Sequence, residues 1–183
     1  PAEASLRFEL DEATALHRLN AWGGQPLPIS ASVWRDGALT LRLSGAVAAV
    51  DAALRGLGGE RLPAAEADAL WAGLRDHTDA FFAGDKPLWR LSVPPDALAV
   101  ALPGAQLVEW GGAQRWLRST APAADIRART AALGGHATLF RHGERSGDVF
   151  HPLPAPMRAL QRNLKRAFDP AGVFNPGRLY EGL

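Results

Sequence analysis

Ile29-Ser30-Ala31-Ser32-Val33-Trp34-Arg35-Asp36-Gly37-Ala38-Leu39-Thr40-Leu41-Arg42-Leu43 is the stretch on which the fold turns. Ile29 to Trp34 and Leu39 to Leu43 both alternate apolar with polar residues, the period of a strand with one buried face. Arg35-Asp36-Gly37 joins them, and Asp-Gly between two alternating runs predicts a tight hairpin. Outward to the N-terminal side, Leu6, Phe8 and Leu10 alternate with Arg7 and Glu9, a further strand. Asp11 fits an N-cap, and Ala15, Leu16, Leu19 and Trp22 share one face of a helix that Gly23-Gly24 ends. On the other side Ser44 opens a second helix, with Val47, Val50, Leu54 and Leu57 at helical spacing and Gly58-Gly59 as its stop. After Pro63 a longer helix, Ala64 to about Phe82, turns Leu70, Trp71, Leu74 and Phe81 towards a core.

The same order of elements then returns. Leu88 to Val93 reads as a strand, Pro95 to Leu102 as a short helix, and Gln106 to Trp110 with Gln114 to Arg118 as a hairpin across Gly111-Gly112. Pro122 to Leu133 reads as a helix stopped by Gly134-Gly135, and His136 to Arg141 as the last strand. Strand, helix, hairpin, helix occurring twice predicts an α+β fold with a duplicated antiparallel sheet of about six or seven strands and helices packed on one face. The repeat register sets Trp34-Arg35-Asp36-Gly37 against Trp110-Gly111-Gly112, and an α+β domain without internal symmetry is the alternative.

Composition narrows the chemistry. The 183 residues are 47% hydrophobic and 21% charged with a formal charge of +1, a globular balance with no apolar run of spanning length. Zero Cys excludes from this chain a disulfide framework, a thiolate zinc site, an iron–sulfur cluster and a Cys nucleophile. Only Lys86 and Lys165 are lysines, and the arginines are spread without a basic block, which argues against nucleic acid. The start at Pro1-Ala2-Glu3-Ala4-Ser5 lacks Met and any signal-peptide pattern, and it reads as a piece of something longer.

Motifs for familiar chemistries are missing. No Gly-x-Ser-x-Gly elbow, dinucleotide fingerprint or phosphate loop occurs. Of His17, His77, His136, His142 and His151, the strand pair His136 and His142 would share a face. Metal binding there would need Glu144 or Asp148 as well, and surface or hydrogen-bonded histidines are the ordinary reading. Asp76, Asp79 and Asp85 with His77 read as a solvated helix face rather than acid–base machinery. Six Trp against one Tyr suggest core and interface packing, with a ring-stacking site as the sharper possibility. Pro156 to Phe168 is amphipathic, with Met157, Leu160, Leu164 and Phe168 on one face and Arg158, Arg162, Lys165 and Arg166 mostly on the other. The tail Asp169-Pro170-Ala171-Gly172-Val173-Phe174-Asn175-Pro176-Gly177-Arg178-Leu179 then reads as a helix stop and two turns around apolar anchors, a rigid docking tail.

That helix and tail resemble the C-terminal signature of FAD-linked oxidases of the vanillyl-alcohol-oxidase type, which include 2-hydroxyacid dehydrogenases. Leu88-Trp89-Arg90-Leu91-Ser92-Val93-Pro94, Gly134-Gly135-His136-Ala137-Thr138-Leu139-Phe140-Arg141 and Pro152-Leu153-Pro154 are similar to one branch, the FAD-binding E subunits of bacterial glycolate oxidases. The resemblance implies an antiparallel ferredoxin-like cap over residues 1–151. It also implies a helix and tail, 152–183, that return to an N-terminal FAD-binding domain this chain does not contain. It implies FAD in the full-length protein but none bound to this chain, and as partners that FAD domain, a catalytic FAD subunit and an iron–sulfur subunit. A cytoplasmic location, peripheral at the inner membrane through the complex, goes with it. Asn175 or Arg178 would lie nearest the cofactor, and Arg90 and Arg141 would face the flavin, their planar forks suited to a carboxylate, a flavin carbonyl or an acidic side chain. Catalytic relatives carry Gly-His-x-Gly-Asp-Gly-Asn-x-His on the hairpin and Glu-His-Gly further on. Here Val108 to Leu117 sets Trp110 and Trp116 near the His positions, and Gly134-Gly135-His136-Ala137 lacks the Glu-His pair. Metal-assisted 2-hydroxyacid oxidation is therefore not expected of this chain; a role in flavin-dependent glycolate oxidation and electron transfer is, with a non-catalytic assembly module bearing a Trp-rich docking face as the alternative.

Overall fold

In the computed structural model, which describes residues 1–144, 149–180 and 182, the hairpin forms as the sequence predicts. β2 (Ile29–Arg35) and β3 (Ala38–Gly45) meet across Asp36 and Gly37, with φ of 50° and 81°. Two positive values in a two-residue loop give the primed turn whose twist matches that of the strands. β1 (Ala2–Glu9) pairs along the other edge of β3, and β4 (Glu60–Arg61), too short to show in the periodicity, pairs with β1. β5 (Leu88–Ser92), β6 (Ala105–Glu109), β7 (Gln114–Arg118) and β8 (His136–Arg141) complete an eight-stranded sheet in the order β4-β1-β3-β2-β6-β7-β5-β8, antiparallel throughout.

Reading that order inward from its two ends gives β4-β1-β3-β2 and β8-β5-β7-β6, the same ferredoxin-like arrangement twice. The duplication is thus built into the topology, and the halves join where β2 and β6 pair through Val33 with Glu109 and Trp34 with Val108. The hairpins correspond, but their loops do not. Arg35–Ala38 closes the first and Glu109–Gln114 the second, so Trp110 falls in a 3-10 turn (Trp110–Gly112) instead of matching Trp34 on a strand.

α1 (Glu12–Gly23) begins at Asp11, whose carboxylate accepts from the Thr14 backbone N–H at 2.8 Å. α2 (Val47–Leu57) starts after Ala46, not at Ser44. Ser44 remains in β3 and hydrogen-bonds Glu3 at 3.3 Å, which leaves α2 without a side-chain cap. These two helices cover Leu39, Leu41 and Leu43, each fully buried. Burial of such a side chain is worth roughly 1.5–3 kcal/mol relative to exposure. α4 (Ala123–Ala132) covers the corresponding face of the second half, with Ile126 against Leu91, Leu117, Ala137 and Leu139.

The one-sided packing expected of the helices holds for α1, α2 and α4, whereas α3 (Ala64–Asp76) lies across the other face. Its Trp71 Nε1 donates to Ser5 Oγ at 2.9 Å, and Leu74 packs with Val33, Leu107 and Trp116. α3 also stops earlier than its apolar spacing suggests. His77 takes a left-handed conformation as its C-cap, and Asp79 caps a separate 3-10 turn (Ala80–Phe82) by accepting from the Phe81 N–H at 2.8 Å.

Residues 95–102 form no helix. The fully buried guanidinium of Arg115 lies beneath them and donates to the carbonyls of Ala97 and Leu98 at 2.6 and 2.5 Å and to that of Gly112 at 3.1 Å. Those carbonyls are satisfied by a side chain rather than by a helical ladder. α5 (Ala155–Phe168) buries no residue, and Met157, Leu160, Leu164 and Phe168 are exposed along one stripe. Asp169 organises the turn after it, accepting from the N–H groups of Val173 and Phe174 at 3.0 and 2.9 Å and from Lys165 Nζ at 2.5 Å. Among the described residues no helix is long and apolar enough to cross a membrane.

Candidate functional site

Alternation along β5 and β7 decides what the open face of the second half presents. Leu91 and Leu117 point towards α4, so Arg90, Gln114 and Trp116 must point the other way, where α3 ends and no helix covers β5 and β8. Arg90 pairs with Thr138 on β8, and a register shift at Leu88 sets Arg141 opposite Leu88, which brings Arg141 to the face of Arg90. The two arginines singled out by sequence therefore lie on the same face of the sheet.

Glu109 holds the centre of this face. Its Oε2 accepts from Trp116 Nε1 at 2.6 Å and from Gln114 Nε2 at 3.1 Å, and Gln114 Oε1 in turn accepts from Arg90 Nε at 2.7 Å. Arg90 is thus oriented through its Nε, and its guanidinium lies 5.7 Å from the centre of the Trp110 ring. On the Arg141 side, Nη2 lies 3.3 Å from His77 Nδ1, and the guanidinium carbon sits 5.5 Å from the centre of the Phe140 ring. His77 is stacked on Phe82 at 4.3 Å and meets Trp116 and Phe140 edge-on at 5.0 and 5.4 Å. Burial chiefly, then the charge of Arg141, hold the His77 imidazole below its ordinary pKa; Arg90 adds to this and Glu109 opposes it.

The face is a shallow platform of donors and flat rings. It can accept an anion or the polar edge of a planar ring. Among the described residues no three His, Asp or Glu side chains gather to hold a metal ion. Asp148, named with Glu144 as a further ligand for the strand histidines, lies outside the described residues. A cleft of about 920 Å³ adjoins the platform where β2 and β6 part, with Trp22, Trp71, Glu109 and Trp110 in its walls.

Asn175 and Arg178 belong elsewhere. They line a groove of about 670 Å³ between α5 and the tail with Leu164, Phe174 and Leu179, and both are exposed. The described contacts do not join this groove to Arg90 and Arg141. Tyr180 carries the tail back to the body, where its hydroxyl donates to the His151 carbonyl at 3.1 Å. The tryptophans give no broad aromatic patch, because Trp89 and Trp116 are buried and Trp110, 67% exposed, is the sole one classed as exposed. His77, Glu109 and Gln114 are parts of the site that sequence reasoning misses. Helical periodicity carried past Asp76 makes His77 look solvent-facing. The polar alternation of Glu109 and Gln114 around a Gly-Gly turn is the signal that could have placed them on a common face.

No family model matches the chain, and no solved structure matches it. The glycolate oxidase protein GlcE of Escherichia coli (strain K12) is 44% identical to it over 182 residues, the whole of this chain and half of that protein. The chain thus spans about half the length of this curated relative, an extent consistent with a C-terminal domain. Identity at that level, sustained from one end of the chain to the other, makes this chain a homologue of half of the glycolate oxidase subunit GlcE.

Proposed function

We propose that the chain is the C-terminal cap of a glycolate oxidase FAD subunit and supports flavin-dependent oxidation of glycolate or a related 2-hydroxyacid. The observation that carries this is the placement of Arg90 and Arg141, each held by its own hydrogen bond, on one open face. The fit to FAD is partial and specific. The sequence has no glycine loop to cradle a pyrophosphate, so the chain can meet only the ring end of the cofactor. For that end Arg90 and Arg141 supply donors to a carbonyl edge, and Phe140 and Trp110 supply flat apolar surface. When bound, FAD supplies an acceptor for the two electrons of the oxidation. The protein's own residues orient the ring edge and substrate and exclude water from one side.

The exposed stripe of α5 and the tail groove with Asn175 and Arg178 are the surface that meets the FAD-binding domain. A chain without Cys relies on a separate iron–sulfur subunit for onward electron transfer, next to a catalytic FAD subunit, in a cytoplasmic complex peripheral to the inner membrane. The test uses the full-length protein with Arg90, Arg141 or Arg178 replaced by Ala, measuring flavin content and turnover of the assembled complex. Loss of either supports the reading; unchanged flavin and turnover in all three variants refutes it.

A further inference from the structure

His77 is the most heavily engaged polar side chain of the open face, and the function proposed above gives it no task. Its backbone stands at φ 54°, outside the helix, which swings the ring away from α3 and into the aromatic cluster of Phe82, Trp116 and Phe140. Three rings within 5.4 Å fix its plane, and Nδ1 faces the Nη2 of Arg141 at 3.3 Å. A guanidinium can only donate, and the bond therefore exists only while Nδ1 keeps its lone pair.

We propose that His77 is a positioning residue whose neutral ring holds the Arg141 guanidinium on the open sheet face, with its fork presented to a small carboxylate. This deepens the cap reading and takes the substrate class from it, but the geometry stands without flavin. Arg90 is already oriented through its Nε by Gln114, which leaves its terminal nitrogens for a ligand. Arg141 takes its orientation from His77 and from the Phe140 ring beneath its guanidinium.

The sign of the pH dependence separates this role from plain electrostatics. The charged groups that face His77 are Arg141, Glu109 and Arg90. Protonating an imidazole near two arginines adds positive charge, which by itself would tighten anion binding. Here it would also place a proton on Nδ1, break the bond to Arg141 and repel that guanidinium, so anion affinity should fall as His77 becomes charged. By linkage, a bound anion must then lower the His77 midpoint, whereas a simple added charge would make the anion raise it.

The test is oxalate, a two-carbon dicarboxylate with no hydroxyl to oxidise, titrated into the chain from about pH 8 to about pH 5 with the His77 ring followed by NMR. Oxalate should bind about tenfold more weakly below the His77 midpoint, as expected for loss of one charge-assisted hydrogen bond, and saturation should move that midpoint down. H77N keeps an acceptor near the Nδ1 position, tolerates a positive φ and does not titrate, so it should hold the high-pH affinity throughout. R141Q should remove the pH dependence and raise the His77 midpoint. Tighter oxalate binding on acidification, an upward midpoint shift, an H77N variant that binds weakly at all pH, or no oxalate binding would each overturn the proposal. Failure of turnover in the full-length protein with the oxalate linkage intact would instead fault the cap reading.

Discussion

Replacing Arg115 by Met tests whether a buried guanidinium stands in for a missing helix. The side chain is fully buried and donates to the carbonyls of Ala97, Leu98 and Gly112 at 2.6, 2.5 and 3.1 Å. The half-buried Glu12 has its pKa raised by burial and pulled back by the charge of Arg115. The segment is therefore clamped by a buried cation. Hydrogen bonds to a charged group contribute about 1.5–3 kcal/mol each, but removing the cation also removes its desolvation penalty. Leu98 is 77% exposed, so water can replace part of what its carbonyl loses. Gly112 is buried, and Glu12 would be left without its counter-charge. The balance is a loss of about 3 kcal/mol, the size of one or two hydrogen bonds to a charged group left unmade in the interior. For a chain of this size that is a fall of about 6–12 °C in Tm. Urea unfolding at neutral pH, with the slope unchanged, measures it, and amide exchange should accelerate locally at residues 96–102. R115M within about 1 kcal/mol of the parent, with exchange there unchanged, would refute the clamp.

Three further outcomes follow from the same geometry. Gly134 and Gly135 divide the work of ending α4: a Cβ on Gly134, at φ 78°, would meet only Pro94, with Cγ at an ordinary 3.6 Å, while one on Gly135 would sit 2.2 Å from the Ser92 carbonyl oxygen and 2.6 Å from Val93 Cγ1. Gly135→Ala should therefore destabilise by about 3 kcal/mol and Gly134→Ala by about 1 kcal/mol in denaturant unfolding, and equal costs would contradict the division. Glu109→Gln removes the charge that raises the His77 pKa, so the NMR midpoint of His77 should move further down; an upward shift counts against the network. His77 and His151 both titrate below 6.5 in the folded state, mainly through burial, so between their folded midpoints and 6.5 the unfolded chain binds more protons. Their contribution to stability should be complete above pH 6.5 and lost as pH falls through the folded midpoints, as thermal melts across that window would show.

Local signals were legible in the sequence wherever one residue type has few alternatives. Asp36-Gly37, the Asp11 cap, the glycine stops and the alternation of Leu39, Leu41 and Leu43 each led to the element observed. The reading failed where a tertiary partner overrode the local pattern. Pro95 to Leu102 has the start of a helix, but Arg115, distant in sequence, takes its carbonyls. The apolar spacing of α3 continues into Phe81 although the chain turns at His77, because Phe81 and Phe82 reach the same core from a separate turn. Arg90 and Arg141 could be placed on neighbouring strands, whereas the register shift that turns Arg141 to the face of Arg90, and the ties of Arg90 to Gln114 and of Arg141 to His77, are not encoded in periodicity.

The position of His77 is itself a consequence of the duplication. Two ferredoxin-like halves laid edge to edge through β2 and β6 place the end of the first half, β4, at one margin of the sheet and the start of the second, β5, next to the far margin. The connection between them must cross the sheet. One face is already occupied by α1 and α2, so the crossing runs over the other, and α3 buries Leu74 there against Val33 and Trp116, on either side of the junction. At 1.5 Å per residue a helix of 13 residues spans about 20 Å, roughly four strand spacings. It therefore ends over the second half and delivers His77 and Phe82 to Trp116 and Phe140. Among the described residues the corresponding face around β5 and β8 receives no such crossing. Covered in one half and open in the other, the sheet thus presents its arginines, with an imidazole at their side, only where the repeat ends.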